Sequence, residues 1–439
     1  MFARNPPRTF VGLALLLAIV SVAWTPPGPL VEPGTRASAS VAASNVGPEI
    51  SISARDSEEH LPAIAYNSKH NEYLVVWEND WGGGYHDIYA QRISGSGQLL
   101  SWFALTTVHS QTNPAVAYDP DNDRYLVVWA YDSDGNGINW DVYGRFVRWD
   151  GPPDMTAFPI CDWPNNQGHP VVAYNGVRKE FLVVWKDTVS GNPSSISARR
   201  VLAAGGFPPE GAWTLSPTTP ENRDSPDVAY NLHRNEYLVT WDIEINASDR
   251  DIRGIRLRGD GAALTGGSAH AIGEFIIADY IDAIEWTPAV AACSAADQYL
   301  VAWQSDDGPP TRDYAIYARY LSYDAVPGDM YKIDDTPYPQ LNVDVDCNLA
   351  GDRYVLAWQS GYSSGKYGIW ARFAWPNEYL PAQFLVQLPG STTDRVFPAV
   401  AGGRTGVLVA WEHQRDVGGN RDIHGRLLQY AVYLPLIRR

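Results

Sequence analysis

Residues 73–92 read YLVVWENDWGGGYHDIYAQR, and both ends of this stretch recur along the chain. The apolar segment ends in a tryptophan, and this ending occurs seven times, at spacings of 52, 56, 56, 62, 55 and 53 residues. The seven tryptophans are Trp77, Trp129, Trp185, Trp241, Trp303, Trp358 and Trp411. A repeat of this length, made of short apolar segments and turns, is typical of β-propeller blades and unlike helical solenoids.

Each repeat contains three strand-like segments whose composition predicts their place in a blade. The first, such as Ala63–Ala65, is small and apolar, as required where seven strands converge on a narrow axis. The second, Leu74–Trp77, is apolar on both faces and must be covered on both sides. The third, Asp87–Arg92, mixes apolar and charged residues, which predicts a position farther out and half in water. A weaker fourth segment, such as 103–106, completes four-stranded antiparallel blades.

The first repeat has no preceding blade, and the seventh lacks an outer strand. Glu49–Ser53 lies where the other repeats have their fourth strand. We therefore predict that residues 48–54 complete the blade formed by 397–428, which removes an exposed sheet edge. The fold class is all-β: a seven-bladed β-propeller over residues 47–428, closed by the N-terminal strand. Closure leaves one domain, although length alone suggests about three.

The repeat in 73–92 resembles one found in exported bacterial propeller proteins. It is also similar, more distantly, to TolB-type and WD-type (WD40-like) propeller repeats. The chain departs from the TolB type in having seven copies and no Ser-Pro-Asp-Gly turn, and a WD-like Trp-Asp ending occurs only at Trp241. The resemblance implies the fold and not the function, because propellers serve as enzymes, lectins and scaffolds.

Segments outside the repeats predict export. Residues 1–23 have the basic start, apolar run and small cleavage-site residues of a signal peptide, and the run is too short for a transmembrane span. Residues 24–46 indicate a flexible leader, and 429–439 form a C-terminal tail. The mature protein is expected to be secreted or displayed at the cell surface, without a transmembrane segment.

Composition excludes several classes of protein. The apolar fraction of 45% argues against disorder, and 38 Gly with 32 Pro argue against a helical bundle. A net charge of −17 disfavours nucleic acid and anionic membranes as partners. We expect a monomer that engages an extracytoplasmic protein or glycan.

Three cysteines, Cys161, Cys293 and Cys347, are too few for a disulfide scaffold. We expect buried free thiols at Cys293 and Cys347, with a bridge between them as the alternative.

Two residue types repeat around the ring and are therefore interpreted as architectural. The seven tryptophans are expected to pack between blades. An arginine recurs in the third strand of five repeats, and we expect it to pair with an acid such as the aspartate at that strand's start. The five are Arg145, Arg199, Arg319, Arg372 and Arg426.

A binding site should break the symmetry, because one site needs one set of groups. Loops that follow the second strands are rich in Gly, Asp, Ser and Tyr and should share one face. Their aromatic residues suggest a ligand-binding rim, with surface decoration of turns as the alternative. The six candidates are Trp81, Tyr85, Tyr131, Trp140, Tyr314 and Tyr362.

One such loop suggests a site for calcium, which is the one cofactor that we predict. Residues 132–141 place oxygen-bearing side chains around a Gly-rich turn, as hard cations prefer. The candidate ligands are Asp132, Asp134, Asn136 and Asp141. No bidentate Glu follows at the twelfth position, so a solvated turn is the alternative reading.

No catalytic motif is present, so no catalytic residue is assigned. The main hypothesis is a non-catalytic propeller that binds a protein or glycan through one loop face. The alternatives are a metal-assisted polysaccharide lyase or glycoside hydrolase acting at the axial channel, and a structural component of an envelope assembly. His60 and His169 both precede a first strand. Histidines and carboxylates converging at the channel mouth would favour the enzyme.

Overall fold

The chain is an all-β ring of seven four-stranded sheets, as predicted. The computed structural model describes residues 46–107, 110–135, 137–164, 166–189, 192–216, 220–262, 273–280, 283–306, 308, 313–334, 336–350, 352–376, 383–387, 393–416 and 419–430. The predicted signal peptide, nearly all of the leader and the tail from 431 onward lie outside these residues. No helix within them is long and apolar enough to cross a membrane.

The strands of each blade follow one another in the chain, except that the N-terminal strand belongs to the last blade. The N-terminal strand is β1 (Val46–Ser51). Blade 1 comprises β2 (Glu58–Asn67), β3 (Glu72–Asp80), β4 (His86–Ser94) and β5 (Leu99–Ala104). Blade 2 comprises β6 (Ser110–Asp119), β7 (Arg124–Asp132), β8 (Trp140–Arg148) and β9 (Phe158–Cys161). Blade 3 comprises β10 (Asn166–Asn175), β11 (Glu180–Thr188), β12 (Ser195–Leu202) and β13 (Trp213–Thr214). Blade 4 comprises β14 (Arg223–Asn231), β15 (Glu236–Asn246), β16 (Asp249–Arg258) and β17 (Phe275–Ala278), and blade 5 comprises β18 (Glu285–Cys293), β19 (Gln298–Ser305), β20 (Ala315–Ser322) and β21 (Pro327–Lys332). Blade 6 comprises β22 (Gln340–Cys347), β23 (Tyr354–Gly361), β24 (Tyr367–Ala374) and β25 (Phe384–Gln387). Blade 7 comprises β26 (Arg395–Gly402), β27 (Gly406–Gln414), β28 (Arg421–Gln429) and β1.

The N-terminal strand closes the ring, as predicted. β1 pairs antiparallel with β28, with Glu49 opposite Arg426 and Ser51 opposite His424. The backbone N–H groups of Ile52 and Ser53 extend this contact by donating to the carbonyl of Ile423, at 2.9 and 3.0 Å. The outer edge of β28 is therefore paired, and both ends of the propeller meet in one sheet.

The repeated tryptophans fill the spaces between blades, which confirms their predicted role. All seven are at most 1% exposed. Trp77, for example, belongs to one core cluster with Leu408 and Ala410 of blade 7. Large aromatic side chains contribute much apolar area to such a contact, so this column stabilises each blade against its neighbour.

The third or fourth residue of each inner strand has the left-handed backbone conformation. The residue after it is a proline in six blades and Val343 in blade 6, and we call this position the proline column. The seven residues have φ between 47° and 54° and are Leu61, Asn113, His169, Ser225, Thr287, Asn342 and Phe397. This conformation costs of order 1–3 kcal/mol in a non-glycine residue, so the surroundings must hold it.

A side chain of the preceding blade supplies that support, and we call this contact the inter-blade latch. At five of the seven blade boundaries, the residue directly after the repeated tryptophan accepts a hydrogen bond from the N–H of the left-handed residue. The other two boundaries have Ala130 and Lys186 at this position. Glu412 accepts from Leu61 at 3.0 Å, and Gln304 accepts from Asn342 at 2.9 Å. Equivalent latches come from Glu78, Asp242 and Gln359.

The expected pairing of the repeated arginines with an acid is wrong for three of the five. Arg145, Arg199 and Arg319 donate to backbone carbonyls at the fourth strand of the preceding blade rather than to the aspartates. Arg145 donates to Leu105 at 2.6 Å and Arg199 donates to Ile160 at 2.6 Å. At the end of an outer strand, some backbone carbonyls have no neighbouring strand to accept a hydrogen bond from. A guanidinium of the next blade donates the missing hydrogen bond. Arg426 instead donates to the carbonyl of Gly47 in its own blade and lies 3.9 Å from Glu49.

The expectation of free thiols at Cys293 and Cys347 is also wrong. These residues form a disulfide with Cα atoms 5.4 Å apart, while Cys161 is a buried free thiol. The two half-cystines end the inner strands of blades 5 and 6. Adjacent inner strands bring them within bridging distance although they are 54 residues apart in sequence.

Replacing Trp185 with Ala should lower the free energy of unfolding by about 3–5 kcal/mol, because it leaves a cavity between blades 2 and 3. Urea unfolding followed by circular dichroism measures this change. Tyr85→Ala is the matched aromatic control, because Tyr85 is 65% exposed, and its effect should stay within about 0.5 kcal/mol. Equal effects of both substitutions would contradict the packing role.

The double variant Cys293→Ala, Cys347→Ala should unfold with a free energy lower by about 2–4 kcal/mol, since the bridge restricts the unfolded chain. Peptide mapping without reductant should recover one linked pair containing residues 293 and 347. Cys161 should react with an alkylating reagent only after unfolding. Alkylation of all three cysteines in the unreduced, unfolded protein would rule out the bridge.

Candidate functional site

The loops between second and third strands differ in length and sequence from blade to blade. They lie at the end where the inner strands begin. We call this end the loop face and call the opening of the axial channel there the mouth. The turns between first and second strands, such as 68–71, lie at the opposite end.

The axial channel encloses about 570 Å³ and is lined by all seven inner strands. Its wall is mostly Ala, Val and Pro, but three aspartates interrupt it. Asp227 accepts N–H bonds from Val228 and from Val290 of the next blade, at 2.8 and 2.7 Å. Asp344 is bonded in the same way to Val345 and Val400. Asp346 is bonded to Cys347 and Gly402, so all three carboxyls bridge neighbouring inner strands.

These carboxyls have unusual proton affinity. Burial raises the pKa of Asp227 to about 7, of Asp344 to about 8 and of Asp346 to about 6, although backbone N–H donors oppose the shift. The negative charges of Asp227 and Asp346 raise the pKa of Asp344 further. The channel therefore holds carboxylic acids that carry protons close to neutral pH.

The mouth combines a repeated backbone with side chains that do not repeat. Two positions before the proline column, the seven blades carry His60, Thr112, Gly168, Asp224, Trp286, Leu341 and Val396. The next position is the ring of left-handed residues described above. Architecture cannot require seven different side chains at equivalent positions, so this is where one set of groups can form one site.

His60 is held between two carboxylates at the mouth. Its Nδ1 lies 3.4 Å from Glu412 Oε2, and its Nε2 lies 3.3 Å from Glu58 Oε2. The Glu412 side chain is 1% exposed, whereas the His60 side chain is 24% exposed. Burial opposes protonation of His60, but the hydrogen bond and charge of Glu412 raise its pKa above the ordinary value.

A second histidine lies beside the first. His86 Nδ1 lies 2.5 Å from Glu78 Oε1, and this hydrogen bond raises the pKa of His86. Glu78 also accepts from the Thr112 hydroxyl and the Asn113 N–H of blade 2. The charge of Glu78 also raises the pKa of His60. We call His60, Glu78, His86 and Glu412 the mouth cluster.

Four of the six aromatic residues predicted as a rim lie on loops of blades 1, 5 and 6, whereas Tyr131 lies near the end of β7 and Trp140 begins β8 in blade 2. Trp81 and Tyr85 are 51% and 65% exposed. The Trp81 indole donates to Asp87 at 3.0 Å, and its ring meets Tyr89 edge-on. Trp140 is half-buried in blade 2. These residues surround the loop face without forming one continuous platform.

The remaining predicted aromatics have ring partners or are half-buried. Tyr131 packs edge-on against Tyr143, with centroids 4.7 Å apart. Tyr314 is 43% exposed and meets Trp286 of the mouth, with centroids 5.7 Å apart. Tyr362 is half-buried in the loop of blade 6. Of the six, Tyr314 has a ring contact with a residue of the mouth.

The predicted calcium loop shows a turn with separated carboxylates. Asp132 Oδ2 accepts the Gly137 N–H at 2.8 Å, and Asp134 is exposed. Burial raises the pKa of Asp141, and Asn136 lies outside the described residues. In the described part of the chain, the one group of three His, Cys, Asp or Glu residues with ligand atoms within 4.8 Å of one another is Glu49, His413 and His424. Calcium binding by the loop remains a prediction.

Sequence reasoning singled out His60 but missed its partners. Glu412 follows a repeated tryptophan, so it belongs to an architectural column and carries no local signal. It also lies 352 residues from His60 in sequence. Sequence reasoning also missed Trp286 and Phe397. Other blades have residues of other types at the same two positions of the repeat, so only an alignment of the repeats by their left-handed residues would have identified these two as unusual.

Comparison with known proteins supports the fold and no family. No protein-family model and no curated protein matches the chain. The crystal structure of the polysaccharide lyase Uly1 aligns with a TM-score of 0.54 and 11% identity, over 84% of this chain and 90% of that chain. The α-L-arabinofuranosidase of family GH93 from Fusarium graminearum aligns with a TM-score of 0.47 and 10% identity, over 88% of this chain and 97% of that chain. At 11% identity the similarity to Uly1 extends to the fold alone.

The raised pKa of Asp344 should make stability depend on pH. A carboxyl whose pKa is higher in the folded than in the unfolded state contributes stability that is fully present below the unfolded pKa of about 4, and this contribution is lost as pH rises toward the folded pKa of about 8. The loss is at most about 1.4 kcal/mol per pH unit for one group. Asp344→Asn should therefore flatten the fall of unfolding free energy between pH 5 and pH 8, as roughly bounded by the two pKa values.

Urea unfolding at several pH values measures this slope. Asp329→Asn is the matched control, because Asp329 is exposed and its removal should leave the slope unchanged. A slope in the Asp344→Asn protein equal to that of the unsubstituted protein would show that Asp344 is ionised in the fold.

Proposed function

We propose that this protein is an extracytoplasmic carbohydrate-active propeller that cleaves a polysaccharide at the mouth, with His60 exchanging the proton. The observation that carries the proposal is the contact between half-buried His60 and buried Glu412. A histidine oriented by a carboxylate and still reachable from solvent is a common arrangement for general acid–base catalysis. The contact meets the expectation that an enzyme would gather histidines and carboxylates at the mouth.

The side chains around the mouth favour a sugar polymer. Trp286 and Tyr314 form an aromatic pair at its edge, and Phe397 is 37% exposed at the start of β26. Aromatic faces beside a few polar groups are the usual composition of a small-molecule or glycan site. The polysaccharide lyase Uly1, which shares the fold, is named for a substrate of the same class.

Charge favours a neutral glycan over an anionic one. Glu58, Glu78 and Glu412 surround the two histidines of the mouth cluster, and the chain carries a net charge of −17. An anionic polymer would approach against this potential, whereas a neutral polymer would not. We therefore propose hydrolysis of a neutral polysaccharide as the reaction.

His60 fits the part of a general acid. Its raised pKa keeps the imidazolium populated to a higher pH than usual, so a proton is available for the departing sugar oxygen. Water supplies the hydroxyl that adds to the other sugar and the proton that restores His60. Activity should fall as pH rises through the His60 pKa, since the acid form is then lost.

A second candidate is glycan binding without turnover through the same face. The exposure of Trp81 and Tyr85 favours it, because exposed aromatic rings suit stacking on sugars. In this case His60 would hold a glycan hydroxyl and transfer no proton.

Incubating the full chain with a panel of neutral and uronate-containing polysaccharides tests these alternatives. New reducing ends would indicate hydrolysis, and ultraviolet absorbance of unsaturated products would indicate a lyase. Affinity electrophoresis measures binding independently. His60→Gln should lower kcat by about 10²–10⁴ with little change in KM.

The matched control is His233→Gln, since His233 is an exposed histidine in a turn at the opposite end of the propeller. It should leave kcat, KM and binding unchanged. Binding of a glycan without any product would overturn the enzymatic proposal and support the second candidate. Equal activity of the His60→Gln and unsubstituted proteins would exclude His60 as the proton donor.

A further inference from the structure

Two histidines and a glutamate converge on the last blade, away from the mouth. Glu49 Oε1 lies 2.7 Å from His424 Nδ1 and 3.2 Å from His413 Nδ1. One ligand atom from each of the three residues lies within 4.8 Å of the other two. The imidazole rings pack with centroids 3.9 Å apart.

Strand register explains why the three side chains meet. His413 of β27 lies opposite Asp422 of β28, and His424 is two residues farther along β28. Ser51 of β1 lies opposite His424, so Glu49 projects from the same face two residues away. Glu412, next to His413, points to the other face of β27 toward blade 1, so this cluster is separate from the mouth.

The arrangement has the ligands and spacing of a transition-metal site. Two imidazoles and one carboxylate are a common protein ligand set for zinc and related divalent ions. Ligand atoms about 2.0–2.1 Å from a tetrahedral zinc ion lie roughly 3.3 Å apart. The Glu49–His413 distance of 3.2 Å is already close to this value, and the Glu49–His424 distance of 2.7 Å needs to lengthen by about 0.6 Å to admit an ion.

The surroundings leave one side of the cluster open. The side chains of Glu49, His413 and His424 are 28%, 17% and 14% exposed. Arg426 Nη2 lies 3.9 Å from the other carboxylate oxygen of Glu49, and so leaves Oε1 directed at the imidazoles. Partial exposure provides an entry path and room for a water molecule as fourth ligand.

We propose that Glu49, His413 and His424 form a structural site for a divalent transition metal ion, with zinc as the expected occupant. Glu49 belongs to the N-terminal strand and both histidines belong to the hairpin β27–β28. An ion bound there would join the two ends of the propeller where the ring closes. Its binding would stabilise the folded state and hold β1 in place.

Without an ion, the same atoms form ordinary hydrogen bonds from imidazole N–H groups to the carboxylate. A metal-binding measurement separates the two descriptions. Glu49→Gln is informative because its amide oxygen can still accept a hydrogen bond, whereas it is a much poorer metal ligand than a carboxylate.

The test uses the full chain purified without a polyhistidine tag and treated with a chelator. Calorimetric titration with Zn²⁺ should give one ion per chain, and Co²⁺ should give the visible absorption of a tetrahedral site. Glu49→Gln, His413→Gln and His424→Gln should each weaken zinc binding at least about tenfold. Zinc should raise the melting temperature of the unsubstituted protein and slow hydrogen exchange in 46–51.

His233→Gln is the control for adventitious binding by exposed histidines and should bind zinc like the unsubstituted protein. Circular dichroism of each variant without metal verifies that it folds. If a histidine variant does not fold, the comparison of zinc affinity is made with Glu49→Gln. Absence of a stoichiometric site would overturn the proposal, as would a zinc affinity in all three ligand variants equal to that of the unsubstituted protein. Neither outcome bears on the His60 proposal, because no activity is measured.

Discussion

The packing of one tryptophan from each second strand against the preceding blade is the contact on which the structure depends. Because each blade is covered only by its neighbours, the seven contacts must close into a ring before every blade is buried on both faces. At five of these boundaries an inter-blade latch adds a hydrogen bond that holds the left-handed residue at the mouth. β1 closes the ring, because its pairing with β28 joins the first and last strands of the propeller in one sheet.

The mouth cluster combines residues that hold the blades together with residues that could take part in a reaction. Glu78 and Glu412 are latches, so their position is set by the need to hold the next inner strand. Arg421 pairs with Glu412 and Arg250 pairs with Asp242 at equivalent places. Blade 1 has His86 where these blades have an arginine, and His60 adds an imidazole that no other blade has at its position. The mouth cluster therefore arises where a structural network has acquired groups that can exchange a proton near neutral pH.

Much of the fold could be predicted because its determinants are local and repeated. The apolar run ending at Trp77, the small residues around Ala63 and the unpaired segment near Glu49 each indicate a position in a blade. The disulfide and the arginine contacts could not be predicted this way. They depend on which strand ends lie side by side, and the composition around Cys293 or Arg145 contains no information about a neighbour some 40 or more residues away.

The sequence by itself determined the number of blades, the direction in which apolar side chains point and the strand that closes the ring, since strand periodicity and turn residues act over a few positions. Only the tertiary structure decided which polar groups meet. His60 meets Glu412 across 352 residues, and Glu49 meets His424 across 375. A closed ring brings the first and last strands together, so the most distant residues in sequence become neighbours at the two sites where we propose chemistry.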